Sequence, residues 1–243
     1  MPRCKIPKMK VDIWSDVMCP FCYIGKRRFE NALEHFGQRD DIEVEWKSFQ
    51  LNPDMKTDPA ISINQYLAYI KGWDLDQAKS MNDHVTGMAA EVGLTYDFDK
   101  AIVANSFNAH RLSHLAKKHG LGEAAEEALF KAYFTDGKNI DDTETLIELG
   151  TAIGLNDDEV KQTLNSNTFA DDVRHDITKA QQLGIRGVPF FIFNNKYGIS
   201  GAQAAPVFTQ TLEKSFAEWQ QENQKAGLEI IKGESCSPDG DCG

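Results

Sequence analysis

"SDVMCPFCYIGKRRFENAL" spans residues 15–33 and places Cys19 and Cys22 three positions apart. A pair at this spacing can hold a metal, exchange electrons or have no role, and its surroundings decide which. The residues before it, "KVDIWSDV" (10–17), alternate and predict a strand that ends at the pair. From Cys19 the period changes. Phe29, Ala32, Leu33 and Phe36 recur at i, i+3, i+4 and i+7, a helix that Gly37 can end. Cys19 therefore stands where a strand hands over to a helix. Pro20 takes the first helical position, where its missing N–H costs nothing. A helix N-terminus carries partial positive charge and free N–H groups, so a Cys19 thiolate is stabilised and its pKa is expected below the free value of about 8.5. Cys22 lies one turn further on, within disulfide reach and deeper. Cys19 is thus the expected attacking thiolate, and Cys22 the thiol that resolves the mixed disulfide.

Outward from the pair, "IEVEWKSFQL" (42–51) alternates as a second strand and stops at "NPD". From about 60 to 183 the texture is helical throughout, punctuated by glycines, a proline and Asp/Thr caps. Two short apolar runs flank "NNK" in "VPFFIFNNKYGISG" (188–201) and predict a hairpin. A last amphipathic helix follows. The order β-α-β, helices, β-β-α predicts an α/β core split by an all-helical insertion. The expected units are residues 10–58 with 184–225, an insertion over 59–183, and a C-terminal tail over 226–243.

Composition narrows the function. The 243 residues carry a net charge of −11, which argues against nucleic acid and against an anionic membrane surface. No apolar run approaches the length that spans a bilayer. The basic start, "MPRCKIPKMKVDIW", has no apolar stretch after it, so a cytoplasmic protein is expected, where a close cysteine pair is catalytic or metal-binding rather than structural. The five cysteines cluster at the chain ends, with none between Cys22 and Cys236. Cys236 and Cys242 can complete a four-sulfur zinc set, but Pro20 inside the first knuckle suits a helix start better, and no metal is expected.

A second motif, "GIRGVPFF" (184–191), sets Val188–Pro189 ahead of a strand. It reads either as a cis-proline turn that leaves Val188 backbone groups open to an extended substrate, or as an ordinary proline at a strand start. Together "CPFC" after a strand and "GIRGVPFFIF" before a hairpin resemble the thioredoxin superfamily. With the helical insertion, "AHRLSHLA" and "NNKYGISGAQ", residues 10–225 resemble its DsbA-like branch, in particular the FrnE-like oxidoreductases. That group is similar to 2-hydroxychromene-2-carboxylate isomerases and kappa-class glutathione transferases. The resemblance implies a thioredoxin-like fold and thiol–disulfide exchange, with Cys19 as nucleophile, Cys22 as resolving thiol and Pro189 as the cis proline. The isomerase and transferase relatives carry serine at the position of Cys19 and use glutathione, so two cysteines favour redox chemistry.

Other candidates surround these. Val103, Phe107, His110 and His114 are expected on one helical face; the resemblance places Asn105 and His110 in the cleft beneath the insertion, and packing is the other reading of the two histidines. Asp16 either accepts the proton of Cys22 through water or caps the helix. Trp14 and Phe21 are expected as apolar walls beside the dithiol. The resemblance also suggests that Ser200 and Gln203 hold the γ-glutamyl end of glutathione, while strand end and helix cap is the alternative. "KRRF" (26–29) is an anion attractor or a solvated face. Cys236 and Cys242 either form an auxiliary redox pair or oxidise incidentally. The expected function is reduction or isomerisation of protein or small-molecule disulfides without cofactor, glutathione being a candidate co-substrate. A glutathione-dependent isomerase or transferase of aromatic substrates is the alternative. The sequence leaves oligomeric state open.

Overall fold

A computed structural model describes residues 7–224. Its centre is a four-stranded sheet ordered β2-β1-β5-β6. Strand β1 (Met9–Ser15) pairs in parallel with β2 (Ile42–Ser48), Met9 opposite Ile42 and Ser15 opposite Ser48. Its other edge pairs antiparallel with β5 (Phe190–Phe193), which turns into β6 (Tyr197–Ser200). The hairpin turn has Asn194 and Asn195 at φ 49 and 53. Asparagine tolerates this left-handed region better than most residues, which is why "NNK" can serve here.

Helix α1 (Pro20–Glu34) joins β1 to β2 and packs with the last helix, α9 (Ala205–Gln224), on one face of the sheet. Phe29 of α1 seals that layer, its ring 5.6 Å from Phe191, 6.1 Å from Phe193 and 5.8 Å from Phe208. Such an aromatic, fully buried, contributes about 1.5–3 kcal/mol by area alone. The opposite face carries Trp14, which packs with Ala180 and Ile185 beneath α8 (Ala170–Gln182). β1 is thus covered on both sides, and its alternation divides two buried faces rather than core from solvent.

The insertion is mainly helical: α2 (Ile63–Lys71), α3 (Leu75–Ala90), α4 (Phe107–Lys118), α5 (Gly122–Phe134), α6 (Thr143–Ala152) and α7 (Asp157–Leu164). Capping boxes Ser62/Gln65 and Asp74/Gln77 start α2 and α3. The expectation of helix alone is corrected by a small antiparallel pair, β3 (Asp58–Ser62) with β4 (Ile102–Val103). The reason is local: Pro59 disfavours a helix start before Ser62, and the apolar pair Ile102–Val103 is β-branched. Val103 therefore lies outside the helix that carries His110. α4 is buried from Ala109 to Ala116 and forms the middle of the insertion, against α5, α6, α7 and α8. The first helix ends at Glu34 with His35 as its cap, before Gly37.

Candidate active site

Cys19 is the N-cap residue of α1, with extended backbone, and Pro20 opens the first turn. Its main-chain N–H donates to the Asp16 carbonyl at 2.9 Å, and the Cys22 N–H donates to the Cys19 carbonyl at 3.0 Å. These turns bring the two sulfurs together beneath the helix start. Both thiols are free. Cys19 is 3% exposed and Cys22 0%, so of the two only Cys19 reaches the surface. The Cys19 thiol donates to the Val188 carbonyl at 3.4 Å. The Val188–Pro189 peptide is cis. Pro189 rests on α1 at Gly25, where an added Cβ would stand 2.9 Å from Pro189 Cγ. Only a glycine lets strand and helix approach so closely.

Burial pushes the Cys22 thiol well above its ordinary range, and the neighbouring Cys19 sulfur adds to the rise; the Asp16 N–H and the Ser15 hydroxyl oppose it. Cys22 is held as a thiol until a strong local cause removes its proton. Tyr96, from the stretch between α3 and β4, donates its hydroxyl to the Pro20 carbonyl at 2.7 Å. Its phenol is raised, first by burial and then by the charge of Cys19. The insertion thus reaches Pro20, one of the two residues between the cysteines.

Asp16 is fully buried. Its Oδ2 accepts the Leu51 N–H at 2.7 Å and its Oδ1 the Met18 N–H at 3.4 Å. Oδ1 also lies 3.5 Å from His110 Nε2, at the outer limit of a hydrogen bond. Asp16 braces the turn before Cys19 and does not cap the helix. His110 is 2% exposed, on the insertion side of the pair. Burial alone would lower its pKa; the Asp16 carboxylate outweighs burial and raises it.

The remaining candidates are placed as follows. Phe21, between the two cysteines, is 37% exposed, whereas Trp14 points away to α8, its Nε1 bonded to the Asp176 carbonyl at 3.0 Å. Asn105 is committed to its own chain: Nδ2 donates to the carbonyls of Met55 (2.8 Å) and Pro53 (3.2 Å), and Oδ1 accepts from the Phe107 N–H and from Gln50. The cleft of about 870 Å³ that it lines with Gln50 and Arg174 does not take in Cys19, Cys22 or Pro189. Gln203 donates to the Ser200 carbonyl at 3.0 Å, at the exposed end of β6. His114 sits in a satisfied packing site with Ser48 and Asp176. "KRRF" is no solvated face: Lys26 is buried against Glu30, Glu123 and Glu127, and Arg28 donates to the Ala202 carbonyl at 2.6 Å. Cys4, Cys236 and Cys242 lie outside the described residues.

A family model matches most of the chain. The DSBA-like thioredoxin domain covers residues 10–213. The chain belongs to the DsbA-like thioredoxin family. It is a family of thiol–disulfide oxidoreductases. The chain is similar to a probable DsbA oxidoreductase from Streptomyces coelicolor, with 40% identity, 97% of this chain and 98% of that one covered, and a TM-score of 0.82. It is 28% identical over 211 residues to the uncharacterized protein YwbO of Bacillus subtilis, covering 83% of this chain and 94% of that protein. Cytosolic disulfide reductase DsbM from Pseudomonas aeruginosa, solved with GSH, shares the fold at 16% identity and a TM-score of 0.59, with 88% and 99% covered.

Within this DsbA-like framework, sequence reading missed four residues. Ser15 was within reach, because period two along β1 puts it on the face of Ile13. Gly25, which meets Pro189, and Glu126, a buried α5 carboxylate that accepts from Ser113 and acts on His110, carry no local signal, since each matters through a partner on another element. Tyr96 is likewise placed only by the tertiary fold.

Proposed function

We propose that the chain catalyses thiol–disulfide exchange on protein or small-molecule disulfides, with Cys19 attacking and Cys22 resolving. The observation that carries this reading is the Cys19 thiol at the start of α1, 3.4 Å from the Val188 carbonyl, with Cys22 buried behind it. The Cys19 thiolate attacks one sulfur of the substrate disulfide and expels the other as thiolate. The mixed disulfide no longer has a proton to give Val188, so the Val188 carbonyl is free to pair with an extended substrate segment. Phe21 and Pro20 offer apolar surface beside it. Cys22 then attacks Cys19, releasing the reduced substrate. A thiol such as glutathione, as co-substrate, returns the pair to its reduced form.

The test is reduction of insulin by dithiothreitol or glutathione with wild type and Cys19→Ser. Acceleration by the wild type that the variant loses supports the reading. Equal rates with and without the wild-type protein overturn it and turn attention to glutathione-dependent isomerisation of aromatic substrates.

A further inference from the structure

Period two along β1 directs Val11, Ile13 and Ser15 to the face that packs on α1, and Trp14 to the face beneath α8. Ser15 is the last residue of the strand. It is buried, and its hydroxyl completes no hydrogen bond. The group on which it acts is Cys22: the Ser15 hydroxyl and the Asp16 N–H both oppose the rise of that thiol. Otherwise Cys22 belongs to the apolar core, with Ile24, Phe29 and Val17. A thiolate formed there has no water to solvate it. A neutral thiol is a weak acceptor and leaves the serine unpaired; a thiolate is a strong one.

We propose that Ser15 is a catalytic residue of the resolving step, its hydroxyl and the Asp16 N–H donating to the Cys22 sulfur as it becomes a thiolate. The inference rests on the dithiol reading above. The step balances without a further reagent. The Cys22 S–H bond breaks, a sulfur–sulfur bond forms between Cys22 and Cys19, and the bond from Cys19 to the substrate sulfur breaks. The substrate leaves as a thiolate and takes up the proton that Cys22 gave. In this step the Cys22 sulfur passes from thiol to disulfide level, the departing substrate sulfur passes from disulfide to thiol level, and Cys19 stays at the disulfide level; over attack and resolution together the pair loses two electrons to the substrate disulfide. Ser15 keeps its proton throughout.

Both donors belong to a braced strand end, and donors held in place before the charge appears are the effective ones. The Ser15 carbonyl accepts the Phe49 N–H at 2.9 Å, fixing the strand end against the residue that follows β2. The Asp16 carboxylate ties the next residues to Leu51 and Met18 and faces His110.

The test uses the reduced full-length protein with Cys4, Cys236 and Cys242 replaced by serine, so that Cys19 and Cys22 are its only thiols, and the chromogenic disulfide 5,5′-dithiobis(2-nitrobenzoate). Attack by Cys19 releases the first thionitrobenzoate, and resolution by Cys22 releases the second. Ser15→Ala should leave the first phase within about twofold of wild type and slow the second about tenfold, the worth of one hydrogen bond to a charged group. Ser15→Thr keeps the hydroxyl and should keep the second phase. Removing an unpaired hydroxyl should not lower the melting temperature, so folding does not obscure the result. A wild-type second phase in Ser15→Ala overturns the proposal. So does a slowing of both phases by the same factor, which marks a structural role. A first phase that survives in Cys19→Ser points instead to failure of the dithiol reading.

Discussion

Two histidines on α4, one turn apart, each face a buried aspartate, and they are built differently. His114 Nε2 lies 3.2 Å from Asp176 Oδ2 and 3.1 Å from the Ser48 hydroxyl. Asp176 also accepts the Ser48 N–H at 3.0 Å, and Phe169 stacks on the imidazole. His110 Nε2 lies 3.5 Å from Asp16 and completes no hydrogen bond. Among the described residues four buried side-chain atoms lack a partner: the Ser15 and Ser106 hydroxyls, His110 Nε2 and Glu126 Oε2. Ser15 adjoins Asp16, the Ser106 carbonyl accepts the His110 N–H, and Glu126 faces His110 while bonded to Ser113. Polar groups are satisfied where they only hold α4 to the sheet. They are left open at the strand end before Cys19 and around His110, where the proposed exchange requires a charge to come and go.

The difference is broken most forcefully by removing each carboxylate. Asp16→Ala removes the carboxylate nearest His110, leaving it only Glu126 and the Phe49 carbonyl, and strips the Leu51 and Met18 N–H groups of their acceptor. The expected loss is about 3–5 kcal/mol, the range for breaking a buried charge pair. The slow phase of thionitrobenzoate release should fall with it, because the Ser15–Asp16 turn is no longer held. Asp176→Ala still leaves His114 its Ser48 partner, and should cost about 2–3 kcal/mol while the specific activity of folded protein stays within about twofold. Urea unfolding and the same kinetic assay read both. Equal kinetic damage from the two variants would erase the distinction between the sites.

Titration separates the pairs along the pH axis. His110 has a folded pKa above its unfolded value of about 6.5, because Asp16 outweighs burial. Its contribution is fully present below about pH 6.5 and is lost as pH rises through the folded value. Asp16, Glu126 and the Phe49 carbonyl are the groups that face it. Burial raises Glu126, which itself weakens the fold as pH climbs above about 4.3, so the readout is the difference between wild type and His110→Gln. Asp176 behaves in the opposite way. Burial opposes ionisation, but His114 and the Ser48 N–H hold its pKa below about 3.9. Its contribution is present above that value and is lost as pH falls through the folded pKa. Melting curves should therefore show the His110→Gln difference shrinking with rising pH from about 6.5 to 8, and the Asp176→Asn difference shrinking below pH 4. A His110→Gln difference that stays constant up to pH 8 would remove the charge from that pair.

The part of this arrangement that was legible in the sequence is the part carried by neighbours along the chain. The strand before Cys19, the helix after it, Pro20 and the Asn194–Asn195 hairpin turn each follow from local periodicity or backbone preference, and the structure reproduces them within a few residues. "GIRGVPFF" left the proline's isomer open from its own residues, and the family resemblance resolved it. What the pattern did not carry is which polar residue meets which. Asn105 and His110 stood side by side as candidates; one spends its amide on Pro53, Met55, Phe107 and Gln50, and the other faces Asp16. "KRRF" looked solvated because its acidic partners Glu123 and Glu127 lie about a hundred residues away. Tertiary pairing decides such cases, and one chain read alone has no record of it.

The smallest effect probes the open side of the comparison most sensitively. Ser106 occupies the N-cap position of α4, yet its side chain makes no capping bond and its hydroxyl is buried without a partner. Asn156 occupies the same position on α7 and accepts the Glu159 N–H at 3.0 Å. Asn156→Ala should cost about 1 kcal/mol, the usual worth of an N-cap. Ser106→Ala should cost nothing, since it replaces an unpaired hydroxyl by hydrogen and leaves the helix start as it was. Chemical denaturation resolves differences of this size when both variants share one denaturant slope. A Ser106→Ala loss equal to that of Asn156→Ala would mean that the Ser106 hydroxyl is hydrogen-bonded after all. The region around His110 would then be as fully paired as the region around His114, and its opening to charge would have to come from Ser15 alone.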